Sequence, residues 1–273
     1  MIVIVTDSTA YLSREEAKAL GVVVVPMTYS IDGHPGYSEG YIEQNDRAEQ
    51  FVANHMGNIH TSQATFASFH NAFLKLREAG YEILCITISS RLSGTYSNAV
   101  LAAREMQGLS IAVVDSLSSC AGMYMLIKEA RDLIRSGTQL FETARHIEAR
   151  REHIRTVFSV DDMEPLRRSG RLGNVKMSIS TILNIRPLLM MENGSIVSAG
   201  VARGRNEQLR RLRSFAANTQ SPLILERFLG DAEADSLRTQ LTHDDVSFTD
   251  RRVGPVLGAH LGTGCVGLTW MAE

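Results

Sequence analysis

Runs of apolar and polar positions follow one another along this chain with a period that keeps changing, and the first half reads as strand, helix, strand, helix. Ile2 to Val5 is a short apolar run that passes into Thr6-Asp7-Ser8-Thr9, the pattern of a buried strand ending in a polar loop. Ser13 and Glu16 form a capping box, Ala17 and Leu20 supply an inward stripe, and Gly21 ends that helix. Val22 to Ile31 reads as a second strand, Asp32-Gly33 as a turn, and Tyr41 to Met56 as a weakly patterned helix. Phe66, Phe69, Phe73, Leu74 and Leu76 fit a helix from Thr65 that closes near Gly80. Ile83 to Ile88 and Ile111 to Val114 read as strands around a helix from Thr95 to Met106, and helical patterns resume from Ala121 to Arg135 and Thr138 to Arg151. This alternation is the grammar of a parallel sheet covered by helices on both faces.

The texture changes after Ile154 to Val160. Arg167-Arg168-Ser169-Gly170-Arg171 leads to a Ser- and Ile-containing stretch, and Glu192-Asn193-Gly194-Ser195 then separates two apolar runs, a strong hairpin signal. A helix around Glu207 to Phe215 and strands near Leu223 and Val246 complete an α+β half. The expected organisation is therefore two domains, 1–155 with a parallel sheet flanked by helices and 156–273 of α+β type, residues near 60–80 packing with the second. No internal repeat interrupts this reading.

Charge narrows the partners. Lys and Arg number 28 against 30 Asp and Glu, a net charge of −2, and binding to nucleic acid or to a membrane surface calls for clustered basic excess instead. The longest strongly apolar run, Val22 to Val25 with Met27 close behind, is far short of the ~20 residues that span a bilayer. The start lacks a basic n-region and an extended apolar h-region, so the expected location is cytoplasmic. Cys85, Cys120 and Cys265 have neither the paired spacing of a zinc site nor a CxxC, and are expected to be structural thiols. His146 and His153 could share a helix face but have no nearby third ligand, which favours helix surface over metal.

The most informative stretch is Ile86-Thr87-Ile88-Ser89-Ser90-Arg91-Leu92-Ser93-Gly94-Thr95-Tyr96, a buried strand running into a small-residue turn that opens a helix. Amides of a helix's first turn converge on one spot, the dipole favours an anion there, and the Ser93 or Thr95 hydroxyl adds a donor. Gly94 would let a ligand approach the backbone closely; the alternative is that Ser93 merely caps the helix. His60-Thr61-Ser62-Gln63, just before the helix that starts near Thr65, is either a second hydroxyl cluster for a ligand or a loop and cap. Asp7 ends the first strand without a second Asp two positions on, so it reads as structural or interface-forming. Gly262-Thr263-Gly264-Cys265-Val266-Gly267 formally matches GxGxxG, but too little chain follows for a dinucleotide fold. Gly254, Gly258, Gly262 and Gly264 are instead expected to make close turns around His260, an imidazole able to hydrogen-bond an anion. A serine hydrolase or acyltransferase with Ser93 as nucleophile and His260 as base is the competing reading, though there is no GxSxG elbow and no carboxylate identifiable to orient His260.

In order along the chain, Thr6-Asp7-Ser8-Thr9, Val25-Pro26, Thr61-Ser62-Gln63, Ile88 through Tyr96, Asp115-Ser116, Gly170-Arg171, Arg186-Pro187-Leu188 and Gly254-Pro255-Val256 through His260 to Gly264 resemble the DegV family, the fatty-acid-binding subunits of bacterial fatty acid kinase systems. Departures are Ala64 where that family favours Pro, Ser169 where Gly usually precedes Gly170, Arg186 for Lys, and Thr263 for Pro. The resemblance implies a two-domain α/β protein with one long-chain fatty acid held between its domains, no cofactor, and no turnover of its own. It also implies that Ser93, Thr61 and Ser62, with Gly94 and His260 nearby, hold the carboxylate, and that Arg171 and Arg205 meet a dihydroxyacetone-kinase-like fatty acid kinase, which forms the acyl phosphate. The abundant Met, with Leu, Ile and Phe, suits a tunnel for a flexible tail.

Overall fold

A computed structural model describes residues 1–45, 48–55, 58–106, 110–172 and 184–273. Its first half contains β1 (Ile2–Asp7), α1 (Arg14–Leu20), β2 (Val22–Val25), β3 (Met27–Ile31), β4 (His34–Glu39), α2 (Ala48–Asn54), β5 (Ile59–Ser62), α3 (Phe66–Glu78), β6 (Glu82–Thr87), α4 (Thr95–Glu105), β7 (Ile111–Asp115), α5 (Cys120–Arg135) and α6 (Leu140–Arg150). The parallel sheet runs in the order β2-β1-β6-β7. Successive residues of its central strands point to opposite faces, and both faces are apolar: Ile4, Leu84 and Ile86 pack with Met123, Leu126 and Ile147 of α5 and α6, whereas Val5, Ile83 and Cys85 pack with Phe69, Phe73 and Ala99 of α3 and α4. The capping box is formed, Ser13 Oγ accepting from Glu16 N at 2.9 Å and Glu16 Oε2 from Ser13 N at 2.8 Å, and Gly21 closes α1 with φ +59°.

Val22 to Ile31 is not one strand. It divides at Pro26, which has no N–H for a ladder; β2 stays in the parallel sheet while β3 moves into a second, antiparallel sheet of order β4-β3-β5. The Asp32-Gly33 turn is there, both residues in the left-handed region. Thr61 and Ser62, for which the sequence offers a hydroxyl cluster for a ligand or a loop and cap, are the end of edge strand β5, paired with Tyr29 and Thr28. The weak helix expected over Tyr41 to Met56 is a short 3-10 turn followed by α2, and Met56 lies outside the described residues.

The second half supplies β8 (Ile154–Ser159), α7 (Glu164–Ser169), β9 (Ile185–Glu192), β10 (Ser195–Arg203), α8 (Gly204–Phe215), β11 (Leu223–Phe228), α9 (Asp231–His243), β12 (Phe248–Arg252), α10 (Pro255–Leu261) and β13 (Cys265–Met271). Its six-stranded sheet has the order β10-β9-β8-β13-β11-β12 and is antiparallel except between β11 and β12. The expected hairpin joins β9 to β10 through Asn193-Gly194. Leu188, Leu225, Val266 and Leu268 face α8 and α9, while Phe158, Val160, Phe228 and Cys265 turn the other way into a core shared with Val5, Met27 and Phe69. Of the close turns expected around His260, the one at Gly262 and Gly264 is present, both glycines with positive φ, whereas Gly254 and Gly258 cap and enter helix α10. Gly258 sits inside it because the helix lies on the Phe228 ring: a Cβ there would fall 2.3–2.6 Å from three ring carbons. Cys85, Cys120 and Cys265 are free and buried, and His146 bonds Glu129 across α5 and α6 at 2.7 Å. No described helix is long and apolar enough to cross a membrane.

Candidate functional site

The strand-to-helix turn that follows β6 is held by carboxylates below it. Asp7 is fully buried; its carboxyl accepts Ile88 N at 2.7 Å, Thr9 N at 3.0 Å and Thr9 Oγ1 at 2.5 Å. Burial pushes its pKa up, against the pull of the Thr9 and Ile88 hydrogen bonds. With its oxygens occupied by neighbouring loops, Asp7 ties two crossings together and is structural, as its surroundings in the sequence suggested. Asp115 Oδ1 takes Ser90 N and Leu117 N, each at 3.1 Å, and Ser89 Oγ donates to Gly194 O at 2.7 Å. Ser93 is thereby presented at the head of α4, half-buried, its Oγ 2.9 Å from Thr95 Oγ1 and accepting Thr95 N at 3.3 Å. Gly94, not Ser93, is the N-cap residue. The space in front of Gly94 belongs to Gln63, whose Oε1 would lie 2.3 Å from a Cβ there, so the glycine admits a neighbouring side chain.

Opposite this turn stands α10. Its first amides are met by buried groups from the first half: Glu39 Oε2 accepts Val256 N at 2.8 Å, and Tyr11 OH accepts Leu257 N at 3.1 Å while donating to Gly254 O at 3.3 Å. Burial drives the Glu39 pKa up to about 8, against the hydrogen bonds from Val256 and Ser8. The helix so anchored carries His260 in its last turn, with Nε2 2.8 Å from Thr61 Oγ1 on the edge of the small sheet. Burial, helped by the nearby Arg171 charge, lowers the His260 pKa to about 4, so the ring is neutral near pH 7. Arg171 itself is exposed, donating to the carbonyls of Ser169 and of Leu92, the latter at 3.4 Å.

Between the turn, α10 and the inner face of the six-stranded sheet lies a cavity of about 320 Å³. Thr61, Ser62, Ser93, Arg171 and His260 line one part of it, and Met27, Ile88, Phe158, Val256 and Leu257 give it apolar walls. Gly94 and Arg205 are not among its lining residues. Arg205 instead pairs with Glu233 at 2.5 Å, in a charged group that includes Asp161 and Arg186. Sequence reasoning missed Glu39 and Tyr11, which aim α10, and Glu226, a buried carboxyl group on the cavity wall. Ser93 is bonded to Thr95 and His260 to Thr61, so nucleophile and base are not hydrogen-bonded to each other, and among the described residues no carboxylate orients the imidazole. The set suits binding of an anionic group beside an apolar chain. Among the described residues no group of side chains is arranged to hold a metal ion.

Residues 1–273 match the family model for DegV, described as "Uncharacterised protein, DegV family". A DegV domain-containing protein of Halalkalibacterium halodurans is 34% identical over 289 residues, an alignment covering 100% of this chain and 99% of the relative. A solved structure from Thermus thermophilus, described as fatty acid binding of a DegV family protein, superposes with a TM-score of 0.86 at 28% identity and covers 100% of this chain and 99% of its own. A stearic-acid-binding protein from Eubacterium ventriosum has the same fold, with a TM-score of 0.87 at 23% identity and coverage of 100% and 98%. Matched by the family model from its first residue to its last, and by a relative more than 30% identical over the same length, the chain belongs to the DegV family.

Proposed function

We propose that this chain binds one long-chain fatty acid in the cavity, carboxylate toward Ser93, Thr61, Ser62 and His260 and tail along the apolar walls, with residues 1–155 and 156–273 as the two domains that enclose it. The observation that carries the reading is the meeting of Thr61 and His260, 2.8 Å apart, on a cavity that Ser93 also lines and to which Met27, Ile88, Phe158 and Val256 give apolar walls. A carboxylate needs donors, and two hydroxyls can turn theirs toward it. A neutral His260 that carries its proton on Nε2 donates it to Thr61 Oγ1 at 2.8 Å, which leaves the Thr61 proton free for the carboxylate without the cost of burying a cation. The structural relatives described as fatty-acid-binding support the same ligand class.

In this reading the protein acts in the cytoplasm, as a carrier without turnover. A dihydroxyacetone-kinase-like partner, docking near Arg171 and Arg205, supplies ATP. A carboxylate oxygen then attacks the γ-phosphorus, the bond to the β-phosphate oxygen breaks, and acyl phosphate and ADP result. Denaturing extraction of the purified protein followed by lipid mass spectrometry tests the ligand: one fatty acid per chain is expected, and an empty cavity that also fails to take up added fatty acid contradicts it. Incubation with fatty acid, ATP and Mg²⁺ tests the carrier role, since acyl phosphate formed before any kinase is added overturns it.

A further inference from the structure

The cavity has a second polar region, built on the inner face of the six-stranded sheet and distinct from the hydroxyls around His260. Glu226 of β11, 7% exposed, lines it together with Thr156, Ser119 and Cys120. Glu226 Oε1 accepts Ala121 N at 2.7 Å and Oε2 accepts Thr269 Oγ1 at 2.6 Å. Thr269 has one hydroxyl proton, and it goes to Glu226; the 2.8 Å contact between Thr156 Oγ1 and Thr269 Oγ1 must therefore be a donation by Thr156. Thr156 is left with lone pairs and no proton to offer. A carboxyl group offers about four acceptor sites, so Glu226 also retains capacity beyond the Ala121 N and Thr269 Oγ1 donors.

This end of the cavity thus presents acceptors, with the Ser119 hydroxyl as an added donor or acceptor. Its place along the sheet is set by register. Thr269 pairs with Thr156, and it lies four residues along β13 from Cys265, which sits just beyond α10 and the Gly262–Gly264 turn. Glu226 pairs with Gly267, two residues from Cys265, so at about 3.3 Å per residue the cluster lies roughly 7–13 Å along the strand from that turn. Methylene groups passing there would leave buried acceptors without partners, and a second carboxylate would face oxygens of its own kind.

We propose that Glu226 and Thr156 select an acyl chain bearing a hydroxyl group remote from its carboxylate. The hydroxyl donates to the free acceptors of Glu226 or Thr156 and accepts from Ser119. The inference rests on the fatty-acid reading above and names the substrate class more narrowly.

Displacement of a bound fluorescent fatty acid separates the two. Octadecanoate is compared with a series of octadecanoates carrying one hydroxyl at successive positions along the chain, on wild type, Thr156→Val and Glu226→Gln. Wild type should favour a mid-chain hydroxyl by about tenfold, the size of one net hydrogen bond. Thr156→Val should bind plain octadecanoate at least as well as wild type while losing most of that preference, and Glu226→Gln, which keeps an acceptor for Ala121 N, should reduce it. Equal affinity for every hydroxyl position in wild type, or a preference unchanged in both variants, overturns the inference while leaving fatty-acid binding intact. Failure of the fluorescent fatty acid to bind at all overturns both.

Discussion

Replacing Ser93 by Ala removes one hydroxyl from the proposed carboxylate site, and the structure separates its effect on binding from its effect on folding. A hydrogen bond to a charged group contributes about 1.5–3 kcal/mol, which predicts a loss of roughly ten- to a hundredfold in fatty-acid affinity. The folding side is smaller. Ser93 Oγ is the partner of Thr95 through one 2.9 Å hydroxyl contact and one long bond from Thr95 N at 3.3 Å, while α4 takes Gly94 as its N-cap. Loss of such neutral bonds costs about 0.5–1.5 kcal/mol, and the half-buried site leaves water able to replace part of them. Titration with a fluorescent fatty acid, alongside urea denaturation of the ligand-free protein, reads the two separately. Unchanged affinity refutes the assignment; so does an affinity loss no larger than the loss of stability, which would mean that the hydroxyl serves only the turn.

Between about pH 4.5 and pH 8 the folded protein holds a proton on Glu39 that the unfolded chain has released, so this group's contribution makes stability fall as pH rises through that window. Glu39→Gln, which cannot ionise and still offers an acceptor to Val256 N, should flatten the profile and exceed wild type near pH 8 by on the order of 4 kcal/mol; Tm profiles that run parallel across the window contradict this. Gly258→Ala places a Cβ against the Phe228 ring and should cost about 1–3 kcal/mol in urea denaturation, with partial recovery when Phe228→Leu is added; an unmoved midpoint refutes the packing argument. Arg171→Ala and Arg205→Ala should each lower acyl-phosphate formation in a reconstituted kinase assay while leaving fatty-acid content nearly intact, and wild-type rates from both across a range of kinase concentrations would remove them from the proposed docking surface.

What the sequence made legible was governed by local physics. The capping box at Ser13 and Glu16, the Asn193-Gly194 hairpin and the doubly buried strands around Ile4 and Leu84 depend on neighbours in the chain and formed as their patterns imply. The departures depend on partners far away. Four residues with two hydroxyls, Ile59–Ser62, look like loop until β3 offers an edge to pair with. Helix α10 was hidden by its own Gly258, whose reason is an aromatic ring thirty residues earlier. Helix α9 and strand β13 are missing from the sequence reading, although Ala234, Leu237 and Leu241 recur at helical spacing and Val266 to Met271 is a largely apolar stretch following Gly262 and Gly264, which together are the available signals. At the site, Thr61, Ser93 and His260 stood out through small-residue turns and family motifs, and all three line one cavity. Glu226 gave no such sign: in Leu-Ile-Leu-Glu-Arg-Phe a lone carboxylate reads as an outward polar residue, and only the stacking of the sheet on α5 turns it inward.

The central claim concerns where a fatty acid's carboxylate sits, and a crystal structure of the chain bound to octadecanoate measures that directly. The account predicts a carboxylate oxygen within hydrogen-bond distance of Ser93 Oγ or Thr61 Oγ1, next to His260, with the tail running along Phe158 and Val256 toward Thr156. A carboxylate seated instead at the inner end beside Glu226, or a ligand lying outside this cavity altogether, would contradict it.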